Sequence, residues 1–177
     1  MSELTNETAR LEAEAIFKEH LSGDALKNAL DFDAYMRANG MPRYSEPAYG
    51  GSYGYGYSSA ASGSHECVCA ITFPNTFWND SGWGIHTFDV LYKHEKRYAE
   101  LPVDEHLKEF VWKNMRKCDN DCGCDKPGSS FKVYGKEFNN YCFHTPYFIS
   151  PNAEEVKKII EYMQTVKLCI DSGPDTN

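Results

Sequence analysis

Apolar positions near the N-terminus repeat at helical spacing and predict two helices in the first 40 residues. The apolar face of the first helix spans residues 13–21, and the pattern breaks at Gly23. The second helix begins near Asp24 and ends at Gly40, because glycine readily takes the left-handed conformation that terminates helices. We therefore expect the chain to start with a pair of helices.

Alternating positions predict three strands in the middle of the chain. Residues 44–64 are rich in glycine, serine and tyrosine and include the alternating sequence "YGYGY" at Tyr53–Tyr57. The clearest strand is Glu66–Phe73, which ends at Pro74, and Gly82–Tyr92 is the third. Cys67 and Cys69 are expected in the core, since they share a predicted strand face with two large apolar residues.

The second half of the chain predicts a helix, two strands and a final helix. The first of these helices begins at Pro102, and its last turn carries basic residues. The strands Phe131–Phe138 and Tyr141–Ile149 are joined at Asn139-Asn140, a pair that is compatible with a turn. The last helix opens at Ser150-Pro151.

The predicted order of elements is ααβββαββα. Such an order indicates an α+β fold, with a largely antiparallel sheet of about five strands and helices packed on one face. A chain of 177 residues is long enough to bury its own core, so we expect a single α+β domain over residues 1–177. The Gly/Ser/Tyr-rich residues 44–64 form a strand and a flexible loop within it.

Charge and composition narrow the classes of partner. The net charge of -8 repels phosphate backbones, so no direct nucleic-acid binding is expected. The sequence has neither a signal peptide nor an apolar run long enough to span a membrane, which predicts a cytoplasmic protein with no membrane partner. In that compartment the seven cysteines are expected to be mostly reduced thiols.

The most distinctive chemistry lies in the sequence "CDNDCGCDKPG", which begins at Cys118. Three soft ligands, Cys118, Cys122 and Cys124, fall within seven residues, and Cys142 is a candidate fourth because it follows a predicted hairpin. Four thiolates would suit a tetrahedral zinc ion. Two alternatives stay open: a reversible redox pair of Cys122 and Cys124, and thiols with no chemical role.

A second candidate site is aromatic. In a strand, Tyr53, Tyr55 and Tyr57 would present their rings on one face, and Trp83 lies on another predicted strand. Such rings either line a cavity for a small molecule or pack in the sheet. No nucleophile elbow or paired-histidine zinc motif occurs, so no catalytic residue is predicted and an enzyme is the less favoured class.

Several segments together resemble a family of small cysteine-containing bacterial proteins of uncharacterised activity, and similar segments occur beside helix–turn–helix regulators of the AraC type. The segments are "LDFDAYMRANGM" (30–41), "DEHLKEFVWKNMRKC" (104–118), "YGKEFNNYC" (134–142) and "NAEEVKKIIEYM" (152–163). Related sequences show two C-x2-C-like groups near Cys118–Cys124. This chain departs from that pattern, which counts against a metal site.

The resemblance implies an effector-sensing or ligand-binding role by analogy with the regulators. The predicted function is therefore that of a small-molecule-binding module. The alternatives are a thiol-based zinc protein or redox enzyme, and a structural or protein-interaction domain.

Overall fold

The description of the fold rests on a computed structural model that covers residues 6–41, 53–58, 65–73, 82–87, 94–118, 128–142 and 144–172. For residues 53–58 and 65–67 it covers the backbone. The described helices are α1 Asn6–His20, α2 Gly23–Ala38, α3 Glu95–Glu100, α4 Glu105–Lys113 and α5 Ala153–Asp171. The described strands are β1 Tyr53–Ser58, β2 His65–Thr72, β3 Gly84–Thr87, β4 Ser129–Val133, β5 Lys136–Tyr141 and β6 Tyr147–Ile149.

The strands form two antiparallel sheets. The main sheet has the order β1-β2-β3-β6, and β4 and β5 pair as a separate hairpin. These helices and antiparallel strands confirm the predicted α+β class. The predicted single sheet is replaced by two, because β6 pairs with β3 instead of with its neighbour in sequence.

One face of the main sheet carries an apolar row onto which helices pack. Ile71, Ile85 and Phe148 stand opposite one another on β2, β3 and β6, and none is more than 2% exposed. The ring of Phe110 on α4 stacks on Phe148 at 5.2 Å, and Tyr162 on α5 meets it edge-on at 6.1 Å. This row and the helices above it form the centre of the core.

The N-terminal pair of helices joins the same face of the sheet. Phe73 lies two residues beyond Ile71, and Phe17 on α1 contacts its ring at 5.7 Å. Both phenylalanines are at most 1% exposed. The predicted end of the second helix is confirmed, since α2 ends at Ala38 and Gly40 has a φ of 74°.

Side-chain caps set the starts of α4 and α5 later than predicted. The Asp104 side chain accepts a hydrogen bond from the Leu107 backbone N–H at 2.8 Å, so α4 begins at Glu105 and not at Pro102. At α5, Asn152 and Glu155 form a reciprocal capping box, so the helix begins at Ala153 and not at Ser150-Pro151.

The β4–β5 hairpin turns at a different place from the one predicted. Its turn is Tyr134-Gly135, whose φ values of 48° and 80° suit a tight two-residue connection between twisted strands. The predicted strand Phe131–Phe138 is therefore wrong, since this turn divides it. The predicted turn at Asn139-Asn140 is also wrong, because both residues lie in β5.

Helix α3 is absent from the prediction. It has six residues, too few to show a clear helical period, and it is held by tertiary contacts. Tyr98 is fully buried, and Glu95 accepts a hydrogen bond from the Lys132 backbone N–H at 3.0 Å. Among the helices of the described residues, none is long and apolar enough to cross a membrane.

Candidate thiol site and its surroundings

The structure brings the backbones of Cys118 and Cys142 together. After α4 the chain runs antiparallel to the end of β5, with Lys117 opposite Tyr141. Two hydrogen bonds hold this pairing: Cys118 N–H donates to the Asn140 carbonyl at 3.0 Å, and Cys142 N–H donates to the Arg116 carbonyl at 2.9 Å. The two predicted ligands that lie furthest apart in sequence are thus on adjacent segments.

The register also decides which side chains share a face. Lys117 and Tyr141 are directly opposite, so their neighbours Cys118 and Cys142 both lie on the other face. Within an antiparallel pair, such diagonal residues are about 7–8 Å apart, with their Cβ atoms somewhat closer. That separation allows two cysteine side chains to turn towards a common point.

The four described cysteines fall into two groups. Cys69 and Cys169 belong to the hydrophobic core cluster, which confirms the core position predicted for Cys69. Cys118 and Cys142 are also buried, at 7% and 4% exposure, but neither belongs to that cluster. The buried Cys118 and Cys142 therefore lie outside the main apolar cluster.

The segment that carries the other two predicted ligands is anchored at both ends near Asn140. At one end Cys118 is hydrogen-bonded to the Asn140 carbonyl. At the other end Gly128 has a φ of 69°, and a Cβ there would lie 2.6 Å from Asn140 Oδ1. Cys122 and Cys124 lie outside the described residues. Within the described part of the chain, no three Cys, His, Asp or Glu side chains are grouped as metal ligands.

The predicted aromatic site is described only in part. The rings of Tyr53, Tyr55 and Tyr57 lie outside the described side chains, while the β1 backbone pairs with β2, which has a bulge at Val68, opposite the Tyr55-Gly56 step. Trp83 is 4% exposed and belongs to the core cluster. A binding role for these four residues stays a prediction.

A polar cluster covers the other face of the main sheet. His86 on β3 is 2% exposed, and its ring centroid lies 5.8 Å from Tyr147 and 6.3 Å from His144. The Tyr147 hydroxyl is 3.3 Å from that of Thr72, and its ring lies against Gly84, where a Cβ would come within 2.7 Å of the ring. This cluster lies next to the end of β5, because His144 follows Cys142 by two residues.

The sequence analysis did not identify this cluster. The sequence did place His86, Thr72 and Tyr147 in predicted strands. The register of strand pairing decides that these side chains face one another, and the sequence pattern does not give that register. A histidine in an apolar strand is a common core residue, so its type carried little information.

Because His86 is buried, its protonation makes the stability of the folded protein depend on pH. Burial and, to a smaller extent, nearby His144 lower the pKa of His86 from 6.5 to about 3. As the pH falls below the unfolded-state value, the unfolded chain takes up a proton that folded His86 does not bind, so stability falls. Linkage gives a loss in the free energy of unfolding of about 2 kcal/mol between pH 7.5 and pH 5.

Urea denaturation at the two pH values measures this loss, with His86→Gln as the matched variant because glutamine does not titrate in that range. We expect the variant to lose about 2 kcal/mol less than the wild type over the same interval. Equal losses would show that His86 does not contribute to the pH dependence.

Comparison of the chain with protein-family models, curated proteins and solved structures gave no match. The resemblance to the cysteine-containing bacterial proteins therefore stays a prediction, and the function has to be argued from the site itself.

Proposed function

We propose that this protein binds a metal ion, zinc by the chemistry of its ligands, through the thiolates of Cys118 and Cys142. Cys122 and Cys124 would complete a four-sulfur set. The observation that carries the proposal is the pairing of the 116–118 segment with the end of β5, which places two buried thiols on one face outside the core. Thiolate ligands favour zinc, and four of them form the usual closed structural site.

The length of chain between the anchored residues is compatible with a four-sulfur site. Cys122 is four residues from Cys118, and Cys124 is four residues from Gly128. At the maximal extension of a polypeptide, each is therefore tethered within about 14 Å of an anchored residue. Because both anchors lie at Asn140, the tethers extend from the same region as Cys142.

Arg116 stands opposite Cys142 in the pairing, so it lies on the same face as the two thiols. A zinc ion with four thiolates would carry a net charge of about −2, which this cation would partly offset. Bound zinc would fix the 119–127 segment to the end of β5 and so act as a structural element of the fold.

Metal analysis of the purified protein tests the proposal. The protein is purified under reducing conditions without chelator, and its metal content is measured by mass spectrometry. We expect about one zinc ion per chain. A zinc content below about a tenth of an equivalent, after incubation with excess zinc and removal of the unbound ion, would contradict the proposal.

A further inference from the structure

The outer edge of β4 is the side of this strand that faces away from β5. No other strand of the described residues pairs with β4. Tyr134-Gly135 is a two-residue turn, so Val133 and Lys136 form the hydrogen-bonded pair beside it. Lys132 and Glu137 form the next pair, which is not hydrogen-bonded in an antiparallel ladder. The backbone N–H and C=O of Lys132 therefore point towards the outer edge.

A carboxylate from α3 occupies this edge. Glu95, the first residue of α3, accepts a hydrogen bond from the Lys132 backbone N–H at 3.0 Å. One helical turn further on, the buried Tyr98 ring packs edge-on against that of Tyr134, with centroids 5.8 Å apart. Three residues of helix advance about 4.5 Å and two residues of strand about 6.7 Å, so the two contacts align α3 with the edge of β4.

An uncovered strand edge pairs readily with another strand, because its N–H and C=O groups are already in the geometry of a ladder. The partner that fits this edge is the same edge of a second copy, since two identical strands pair antiparallel about a two-fold axis, the commonest symmetry of oligomers. The Lys132 side chain is exposed, and in a symmetric pair centred on it two lysines would face each other and repel.

We propose that Glu95 and the charge of Lys132 prevent the outer edge of β4 from pairing with the same edge of a second copy. Helix α3 is then a cover that opposes self-association. Pairing would require each copy to break a hydrogen bond to a charged acceptor, which is stronger than one between neutral groups. This inference is independent of the proposed metal site.

The test removes the carboxylate with Glu95→Ala and leaves Tyr98 in place. Neither copy then has to break that hydrogen bond, so we expect the dimerisation constant to rise at least roughly 100-fold over that of the wild type. Sedimentation velocity at several protein concentrations, under reducing conditions, measures this constant. The matched control is Glu105→Ala, which removes the same charge from an exposed side chain paired with Lys108 on α4 and should leave the constant unchanged.

Two further measurements locate the association. Adding Lys132→Pro to Glu95→Ala removes the N–H that a second strand would bond, and proline is tolerated in edge strands, so we expect this protein to be monomeric. Hydrogen exchange at the Lys132 amide should slow with rising protein concentration in Glu95→Ala and not in the wild type. If the proline variant does not fold, the exchange measurement decides alone.

Several results would overturn the proposal. Association of Glu95→Ala no stronger than that of the wild type would show that Glu95 only holds α3 in place. Equal association of Glu105→Ala would show an effect of net charge. Association that survives Lys132→Pro, or that leaves exchange at the Lys132 amide independent of concentration, would place the contact elsewhere on the protein.

Discussion

A protein in which serine replaces both Cys118 and Cys142 is expected to lose its bound zinc and much of its stability. Two of the four proposed ligands would be gone, and a serine hydroxyl is a poor substitute for a thiolate at zinc. With free zinc at about 1,000 times its dissociation constant, bound metal contributes about 4 kcal/mol to the folded state. We expect a loss of about that size, measured by urea denaturation in zinc-containing buffer.

The matched control is Cys169→Ala, which removes a thiol from the core cluster and leaves all four proposed ligands in place. This control should keep about one zinc per chain while losing some packing energy. A chelator should lower the stability of the wild type towards that of the double variant and leave the double variant unchanged. Full zinc content in the double variant would refute the assignment of Cys118 and Cys142.

Phe148→Ala is expected to cause the second large effect, a loss of about 3–5 kcal/mol in the free energy of unfolding. Phe148 is 2% exposed and contacts rings from two helices, Phe110 at 5.2 Å and Tyr162 at 6.1 Å. Its removal would leave a cavity at the point where α4 and α5 meet the sheet, and the surrounding rings are too constrained to fill it. Urea denaturation of the variant and the wild type measures the loss.

The adjacent residue provides a control on the same strand. Ile149 is 57% exposed, so Ile149→Ala should change the stability by no more than about 0.5 kcal/mol. Similar losses of stability in Phe148→Ala and Ile149→Ala would contradict the structure, in which the Phe148 side chain is buried and the Ile149 side chain is exposed.

The helices were predictable because their signals are local. The apolar spacing of α1 and α2 and the glycine after α2 lie within a few residues of the structure they specify. Predicted starts were less accurate at α4 and α5, since Pro102 and Pro151 suggested earlier boundaries than the caps Asp104 and Asn152 impose. The capping residues were present in the sequence, so this information was local as well.

The connections between strands could not be predicted from local sequence patterns alone. Tyr134-Gly135 forms the hairpin turn with both residues at positive φ, whereas an asparagine pair appeared the better turn sequence. A tyrosine at φ 48° is unfavourable by itself, and the pairing of β4 with β5 together with the burial of Tyr134 offsets that cost. The contacts that select this turn come from residues distant in sequence, including Thr165 on α5.

By itself the sequence determined the α+β class, most helices and the identity of the thiols available for chemistry, because periodicity, caps and residue type act over short distances. Tertiary structure alone decided which of those thiols lie on adjacent segments and which join the core. Two backbone hydrogen bonds, Cys118 N–H to the Asn140 carbonyl and Cys142 N–H to the Arg116 carbonyl, pair the segments of Cys118 and Cys142, while Cys69 and Cys169 belong to the apolar core cluster. The four thiols are chemically identical, so only strand register and burial, which long-range contacts set, distinguish them.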